Sequence, residues 1–330
     1  MTNIGFAECL AVVRGLATYV APLDWYRKKR KTGRSTEDAV YCYTVWMRHL
    51  STMQTFGWHP AGKKIGELGP GNSAGVGVAA LLSGVDSYSA FGALRYPFSK
   101  NLTALVALVR AMARLYSERR PIPTPDEYPQ VVPFLESYEF PSWLDQEQDL
   151  ASHRKKVIEE LTRPPESEAG FKRLQYIAPY ASLDMCGYRE SFDGVFSQAV
   201  FEHVREVEDT YRLVFDLLKP GGWSWHVIDF RSHGLSSDWN GHWGYPQWLW
   251  KIIEGRREFL LNRLPLSEQI KAAGRAGFKI EQVFRFAEGE SPALARKSRL
   301  RREDFAEPFS ELSDEDKATL GAMVILRTPV

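Results

Sequence analysis

Ile65-Gly66-Glu67-Leu68-Gly69-Pro70-Gly71-Asn72-Ser73 is an apolar run that ends in an acid, feeds a Gly-x-Gly turn and opens onto a helical stretch at 74–82. A strand that stops on such a turn presents its backbone directly to a ligand. Gly69 and Gly71 let the chain reverse with no Cβ in the way, and the N–H groups of the following helix point at whatever is bound. The same turn satisfies the looser G-x-G-x-x-G/A spacing of dinucleotide-binding folds. Glycine turns after strands are common, so the reading needs a second signal.

That signal is Phe192-Asp193-Gly194-Val195-Phe196-Ser197-Gln198-Ala199-Val200-Phe201-Glu202-His203-Val204, followed by Leu217-Leu218-Lys219-Pro220-Gly221-Gly222 and a strand-like stretch at 223–230. Together the two blocks resemble the class I S-adenosylmethionine-dependent methyltransferases, over roughly residues 63–92 and 172–230 and more weakly to the end of the chain. The resemblance implies an α/β fold with a seven-stranded, mainly parallel Rossmann-like sheet, and S-adenosylmethionine as cofactor. In that family the E-x-G-x-G turn holds the methionine end of the cofactor, which falls here on Glu67, Gly69, Gly71 and Asn72. Ser197 and Gln198 end the strand that closes the pocket. Ala181 and Ser182, with Asp184 close by, occupy the loop that contacts the adenine. The family usually carries an acid after the second strand for the ribose hydroxyls; the corresponding place here is Gly92, in Ser87-Tyr88-Ser89-Ala90-Phe91-Gly92-Ala93.

The rest of the chain fits a globular enzyme. Hydrophobic content of 44% and charged content of 25% are ordinary, and a net charge of +1 gives no reason to expect nucleic acid. Three cysteines, Cys9, Cys42 and Cys186, are odd in number and form no C-x-x-C pair, which suits a reducing compartment. No apolar run reaches the length of a membrane span, and Glu8 and Arg14 interrupt the N-terminal apolar stretch, unlike a signal peptide. The expectation is a cytoplasmic protein, with a homo-oligomer left open.

Residues 1–62 read as a helical N-terminal extension, with apolar positions at Leu10, Val13, Leu16 and Ala17 and at Val45, Leu50 and Met53. The basic run 27–31 reads as a solvated face. The methyltransferase domain then occupies 63–330, with strands near 64–68, 86–91, 173–177, 192–197, 222–230, 278–286 and 321–327. Two insertions interrupt it, at about 93–171, a lid or substrate wall, and at 231–265.

Methyl transfer from a sulfonium asks the protein mainly for alignment and for removal of a proton from the acceptor. Ligands of open α/β sheets bind at the carboxyl ends of the strands. The candidates there are His233 as base, Asp229 as its orienting partner, and His203 at the helix start beside the cofactor strand. His226, Asp229 and His233 also resemble a metal constellation, but alternation along the strand splits them, so no metal is expected and His226 reads as a core histidine. Trp239, Asn240, His242 and Trp243 combine indoles with an amide and an imidazole, as a sugar site would. Packing of these indoles on the core is an equally good reading. Asn262 and Arg263 add a polar pair. The expected function is methyl transfer to a small polar metabolite, such as a hydroxyl of a sugar or glycosylated compound. Gly92 keeps an alternative open: the same fold without methyl transfer, as a ligand binder, a non-methylating catalyst or a partner subunit.

Overall fold

The computed structural model describes residues 5–20, 37–94, 102–146, 149–165, 167, 170–180, 185–287 and 298–330. Seven strands form one sheet: β1 (Lys64–Leu68), β2 (Ser87–Phe91), β3 (Leu174–Ile177), β4 (Phe192–Gln198), β5 (Leu218–Asp229), β6 (Lys279–Ala287) and β7 (Thr319–Arg327). Their order is β3-β2-β1-β4-β5-β7-β6. The first five run parallel, and β7 lies antiparallel between β5 and β6. Each of the seven expected strands is present within a few residues of its expected bounds. The order reverses direction between β1 and β4, so both strands release their chains at the sheet's carboxyl edge beside one another, where such sheets bind ligands.

Helices cover both faces, which is why β1, β4 and β7 are buried almost throughout and read as apolar runs rather than alternations. In chain order they are α1 (Phe6–Leu16), α2 (Ala39–Gln54), α3 (Gly75–Leu82), α4 (Leu102–Ser117), α5 (Leu150–Leu161), α6 (Val207–Leu217), α7 (Gln247–Glu254), α8 (Leu266–Arg275) and α9 (Asp314–Ala318). Helix α2 starts on Asp38, whose side chain accepts the Val40 N–H. It buries Val45, Leu50 and Met53 as expected.

Helix α1 departs from its sequence reading. Ala11 and Gly15 face inward, while Val13 is 59% and Leu16 52% exposed. The cause is close packing: a Cβ on Gly15 would lie 2.0 Å from the Ile252 carbonyl oxygen of α7. Small residues make that contact stripe, so the large apolar side chains mark the wrong face.

The first insertion is fastened to α2. The buried Arg48 guanidinium donates to the Pro123 carbonyl at 2.6 Å and to that of Val131, and the Tyr43 hydroxyl donates to the Arg120 carbonyl. Its proline-rich stretch is thereby held against the sheet's carboxyl edge. Among the described residues, no helix is long and apolar enough to cross a membrane.

Candidate active site

On the β1 side, Glu67 is 3% exposed and its carboxylate accepts the Tyr88 hydroxyl of neighbouring β2 at 2.5 Å. Burial pushes its pKa up to about 8, against the Tyr88 bond, which lowers it. Gly69 and Gly71 hold φ of +69° and +72°, the left-handed region that glycine enters without strain. The Gly69 N–H donates to the Phe91 carbonyl at 2.9 Å, and a Cβ there would lie 2.5 Å from Val200 Cγ2. The turn is thus pressed between the exits of β2 and β4. The Asn72 amide lies 3.4 Å from Glu37 Oε1.

Gly92 follows β2 as expected, and the space beside it is filled. A Cβ on Gly92 would lie 2.3 Å from the Tyr176 hydroxyl. That phenol donates toward the Leu94 carbonyl at 2.9 Å and the Gly71 carbonyl at 3.2 Å, linking the glycine turn to the β2 exit. Ala181 and Ser182 lie outside the described residues.

Ser197 is placed differently from its expected cofactor role. Its hydroxyl is fully buried and pairs with His226 Nδ1 at 2.8 Å, while His226 Nε2 pairs with the Ser224 hydroxyl at 2.7 Å. Both histidine nitrogens are therefore used inside the sheet, and burial pushes the ring's pKa down to about 3. The Gln198 amide oxygen accepts from His49 Nε2 of α2 at 2.8 Å, and the residue lines a cleft at the sheet's carboxyl edge.

That cleft is shallow and is walled by Gln198, Ala199, Asp229 and Arg231 from the β4 and β5 exits and by Pro129 and Val132 from the first insertion. Asp229 is its best-held side chain. The Arg231 guanidinium grips both carboxylate oxygens at 2.8 and 2.6 Å, the Arg231 N–H reaches Oδ1 at 2.9 Å, and His233 Nε2 lies 3.0 Å from Oδ2. Burial opposes the charge, but the bonds from His233 and Arg231 outweigh it and hold the carboxyl well below the usual range. The His203 ring centroid lies 5.3 Å from that of His233. The three residues expected to be catalytic therefore converge.

Beneath them sits Glu202, which the sequence reading quoted but did not assign. It is 3% exposed, and neither carboxylate oxygen has a hydrogen-bond partner among the described residues. Its own and the Asp229 backbone amides come near without reaching hydrogen-bond geometry. Burial, and then the Asp229 charge, push its pKa well above the usual range. Two adjacent carboxyl groups are thus driven apart, Asp229 toward its ionised form and Glu202 toward its neutral one. Ala199 and His233, at the two strand exits, adopt φ of +54° and +49°; non-glycine residues rarely stay there unless the surroundings hold them.

The second insertion turns its expected acceptor-binding residues into packing. Trp239 is 7% and Trp243 1% exposed, with ring centroids 6.3 Å apart, and the Trp243 indole donates to the Arg263 carbonyl at 2.9 Å. Arg263 is buried between the Trp250 and Phe309 rings and donates to the Tyr245 carbonyl at 2.7 Å. His242 is buried against Trp243, with its pKa down to about 3 through burial and then the Arg263 charge. Asn240 is bonded to the Ser298 hydroxyl and the Lys317 carbonyl. The Asn262 amide donates to the Phe201 and Val204 carbonyls at 2.6 and 2.8 Å, clamping the turn that carries Glu202 and His203. For Trp243, Arg263 and Asn262 the reason is the same: a polar tip is bonded to backbone carbonyls of neighbouring segments. Arg231 was also missed, although Asp229-x-Arg231 is a sequence in which the side chain can bond the backbone two residues on.

Residues 159–225, from α5 into β5, match the methyltransferase domain family. With the antiparallel seventh strand between β5 and β6, the order of the sheet is that of the same class. Residues 159–225 thus match a methyltransferase domain, and the sheet that holds them has the Rossmann-like methyltransferase order. The β1 exit offers a cradle suited to S-adenosylmethionine: Gly69 and Gly71 at positive φ, with a Cβ on Gly69 excluded by Val200, and the buried carboxyl of Glu67.

Several solved structures are similar. An S-adenosylmethionine-dependent methyltransferase from Mesorhizobium loti is 13% identical, with 84% of this chain and 96% of that one covered and a TM-score of 0.40. A methyltransferase from Listeria monocytogenes is 11% identical, covering 89% and 100%, with a TM-score of 0.41. Phosphoethanolamine N-methyltransferase 2 from Haemonchus contortus, in complex with S-adenosyl-L-methionine, is 15% identical, covering 90% and 59%, with a TM-score of 0.42. No curated protein matches the chain.

Proposed function

We propose that the protein moves the methyl group of S-adenosylmethionine onto a hydroxyl of a small polar metabolite held in the cleft at the β4 and β5 exits. The observation that carries this reading is the Asp229–His233 pair, 3.0 Å apart, with Asp229 lining the cleft at the β4 and β5 exits. The sulfonium supplies an electrophilic methyl group when the cofactor is bound. Glu67, Gly69, Gly71, Asn72 and Gln198 hold and orient it along the β1 and β4 exits. Asp229, locked by Arg231, fixes the His233 ring, and the pair would take the proton that the acceptor hydroxyl loses when it gains the methyl group. Pro129 and Val132 of the first insertion exclude water from one side.

The test begins with a panel of glycosides and other hydroxyl metabolites, scored by S-adenosylhomocysteine release. With an acceptor in hand, His233→Ala is expected to slow turnover by about a hundredfold or more, while calorimetry shows S-adenosylhomocysteine bound as tightly as by the parent. Full turnover would move the proton acceptor elsewhere; lost cofactor binding would make His233 structural. A second reading, the same fold without methyl transfer, is favoured by one feature: Tyr176 fills the space beside Gly92 where a carboxylate would stand. A chain that binds the cofactor but methylates nothing in the panel supports it.

A further inference from the structure

Glu202 is costly as it stands. A buried carboxyl forfeits the hydration it had in the unfolded chain, and Glu202 receives in return only the approach of two backbone amides, with no well-formed hydrogen bond. Buried carboxylates that persist are paired or coordinate metals. Glu202 lies in the three-residue 3₁₀ turn Phe201–His203, clamped from below by Asn262, so it is not placed there by looseness of the chain. What lies next to it is a second carboxylate and an imidazole. One ligand atom each from Glu202, Asp229 and His233 fall within 4.8 Å of one another. Ligands at ordinary metal distances of about 2.0–2.2 Å stand that close together.

We propose that Glu202, Asp229 and His233 hold one divalent cation at the exit of β5. Two carboxylate oxygens and one imidazole nitrogen suit borderline ions such as Mn²⁺ or Zn²⁺. The three side chains come from two strand exits and leave one side of the ion open toward the cleft, through Asp229 and the partly exposed His233. Arg231 then serves as the outer partner that fixes Asp229, as bonded ligating carboxylates usually require. The hydrogen bond between His233 and Asp229 is the cation-free arrangement of the same ligands. The cation's role rests on the acceptor reading above, although its binding does not. With the ion bound, Asp229 and His233 are ligands and no longer the proton acceptor; the ion would instead make an acceptor hydroxyl at the open position more acidic, and its proton would pass to solvent. The atoms exchanged in the methyl transfer are unchanged.

The test uses the full chain after removal of metals with a chelator. Titration with manganese chloride, and separately with zinc chloride, is followed by calorimetry and by the shift in thermal midpoint. One ion per chain and a raised midpoint are expected. In Glu202→Gln the affinity should fall by about tenfold or more, since losing even an outer partner of a ligand costs that much. The metal-free midpoint of Glu202→Gln should equal or exceed the parent's, because a neutral amide replaces an unpartnered acid. His233→Gln should weaken the ion likewise. A metal-free parent that binds neither ion would overturn the proposal. So would ion binding that Glu202→Gln leaves unchanged, since the ion then sits elsewhere. Ion binding lost in the variants, with His233→Ala still fully active on an acceptor, would keep the cation site and sink the acceptor reading instead.

Discussion

The two halves of the sheet's carboxyl edge are built from different materials. At the β1 and β2 exits the work is done by absent side chains: Gly69 and Gly71 at positive φ, and Gly92 pressed against Tyr176. At the β4 and β5 exits it is done by charge, with Asp229, Arg231, His233 and Glu202 in contact and two non-glycine residues at positive φ. The first half tolerates no added atom and the second tolerates no lost one. Substitutions should therefore fail in opposite ways on the two sides: added bulk abolishes cofactor binding, and removed functional groups abolish turnover.

The largest effect is expected at the glycine turn. Gly69→Val introduces a β-branched residue at φ +69° with its Cβ 2.5 Å from Val200. Gly71→Val meets the same backbone demand at +72°. Both should lose detectable S-adenosylhomocysteine binding by calorimetry while far-ultraviolet dichroism stays near native. Cofactor affinity undiminished in either variant would break the contrast between the halves.

Next in size is the second insertion. Because Trp243 is 1% exposed and bonded to the Arg263 carbonyl, Trp243→Ala should cost about 3–5 kcal/mol of stability, read as a lowered denaturation midpoint. Where the variant remains folded, the acceptor's Michaelis constant should change little. A raised constant with unchanged stability would return the tryptophan to the acceptor site.

A smaller, pH-dependent effect belongs to Glu67. The folded chain keeps its proton up to about pH 8, whereas the ordinary value is 4.5. In that window the unfolded state binds fewer protons, so stability falls as pH rises, at most about 1.4 kcal/mol per unit. The group's contribution is complete below pH 4.5 and lost through about pH 8. Glu67→Gln keeps an acceptor for the Tyr88 hydroxyl and cannot ionise. Its stability relative to the parent should rise with pH, reaching a few kcal/mol by pH 9, while its cofactor affinity drops. Parallel stability profiles for the two chains would show that Glu67 is ionised in the native state.

These contrasts also explain what the sequence disclosed. All seven strands were legible, because a buried strand and a glycine turn are local patterns. The glycine turn was legible for the same reason, since Gly69 and Gly71 are required by backbone conformation alone. Asp229, His233 and His203 were singled out by their position at strand exits, and they do lie together there. Glu202 was hidden in plain view: its identity is local, but its significance depends on the charge of Asp229, which is distant in sequence. The tryptophans left two readings open, because a polar-aromatic string looks the same whether its tips face a ligand or the backbone. Likewise α1's large apolar residues pointed outward, because Gly15 and Ala11 made the close contact.

The smallest effect sharpens the comparison most. An acid restored at Gly92 would be expected, from sequence alone, to tighten cofactor binding through the ribose hydroxyls. The structure reverses that sign, because a Cβ at Gly92 meets the Tyr176 hydroxyl at 2.3 Å and the ring carbon behind it at 2.7 Å. Gly92→Asp alone should lower stability by about 1–3 kcal/mol through overpacking and weaken S-adenosylhomocysteine binding, as the displaced phenol releases Gly71 and Leu94. Tyr176→Ala removes the obstruction and also the link between the turn and the β2 exit. If the two positions share one space, the double variant should recover part of what Gly92→Asp lost, with a coupling of about 0.5–3 kcal/mol in both stability and affinity. Additive losses would mean that Tyr176 and the side chain at 92 do not compete. Tighter binding by Gly92→Asp alone would mean that the phenol swings aside freely, and that the first half of the edge tolerates added atoms after all.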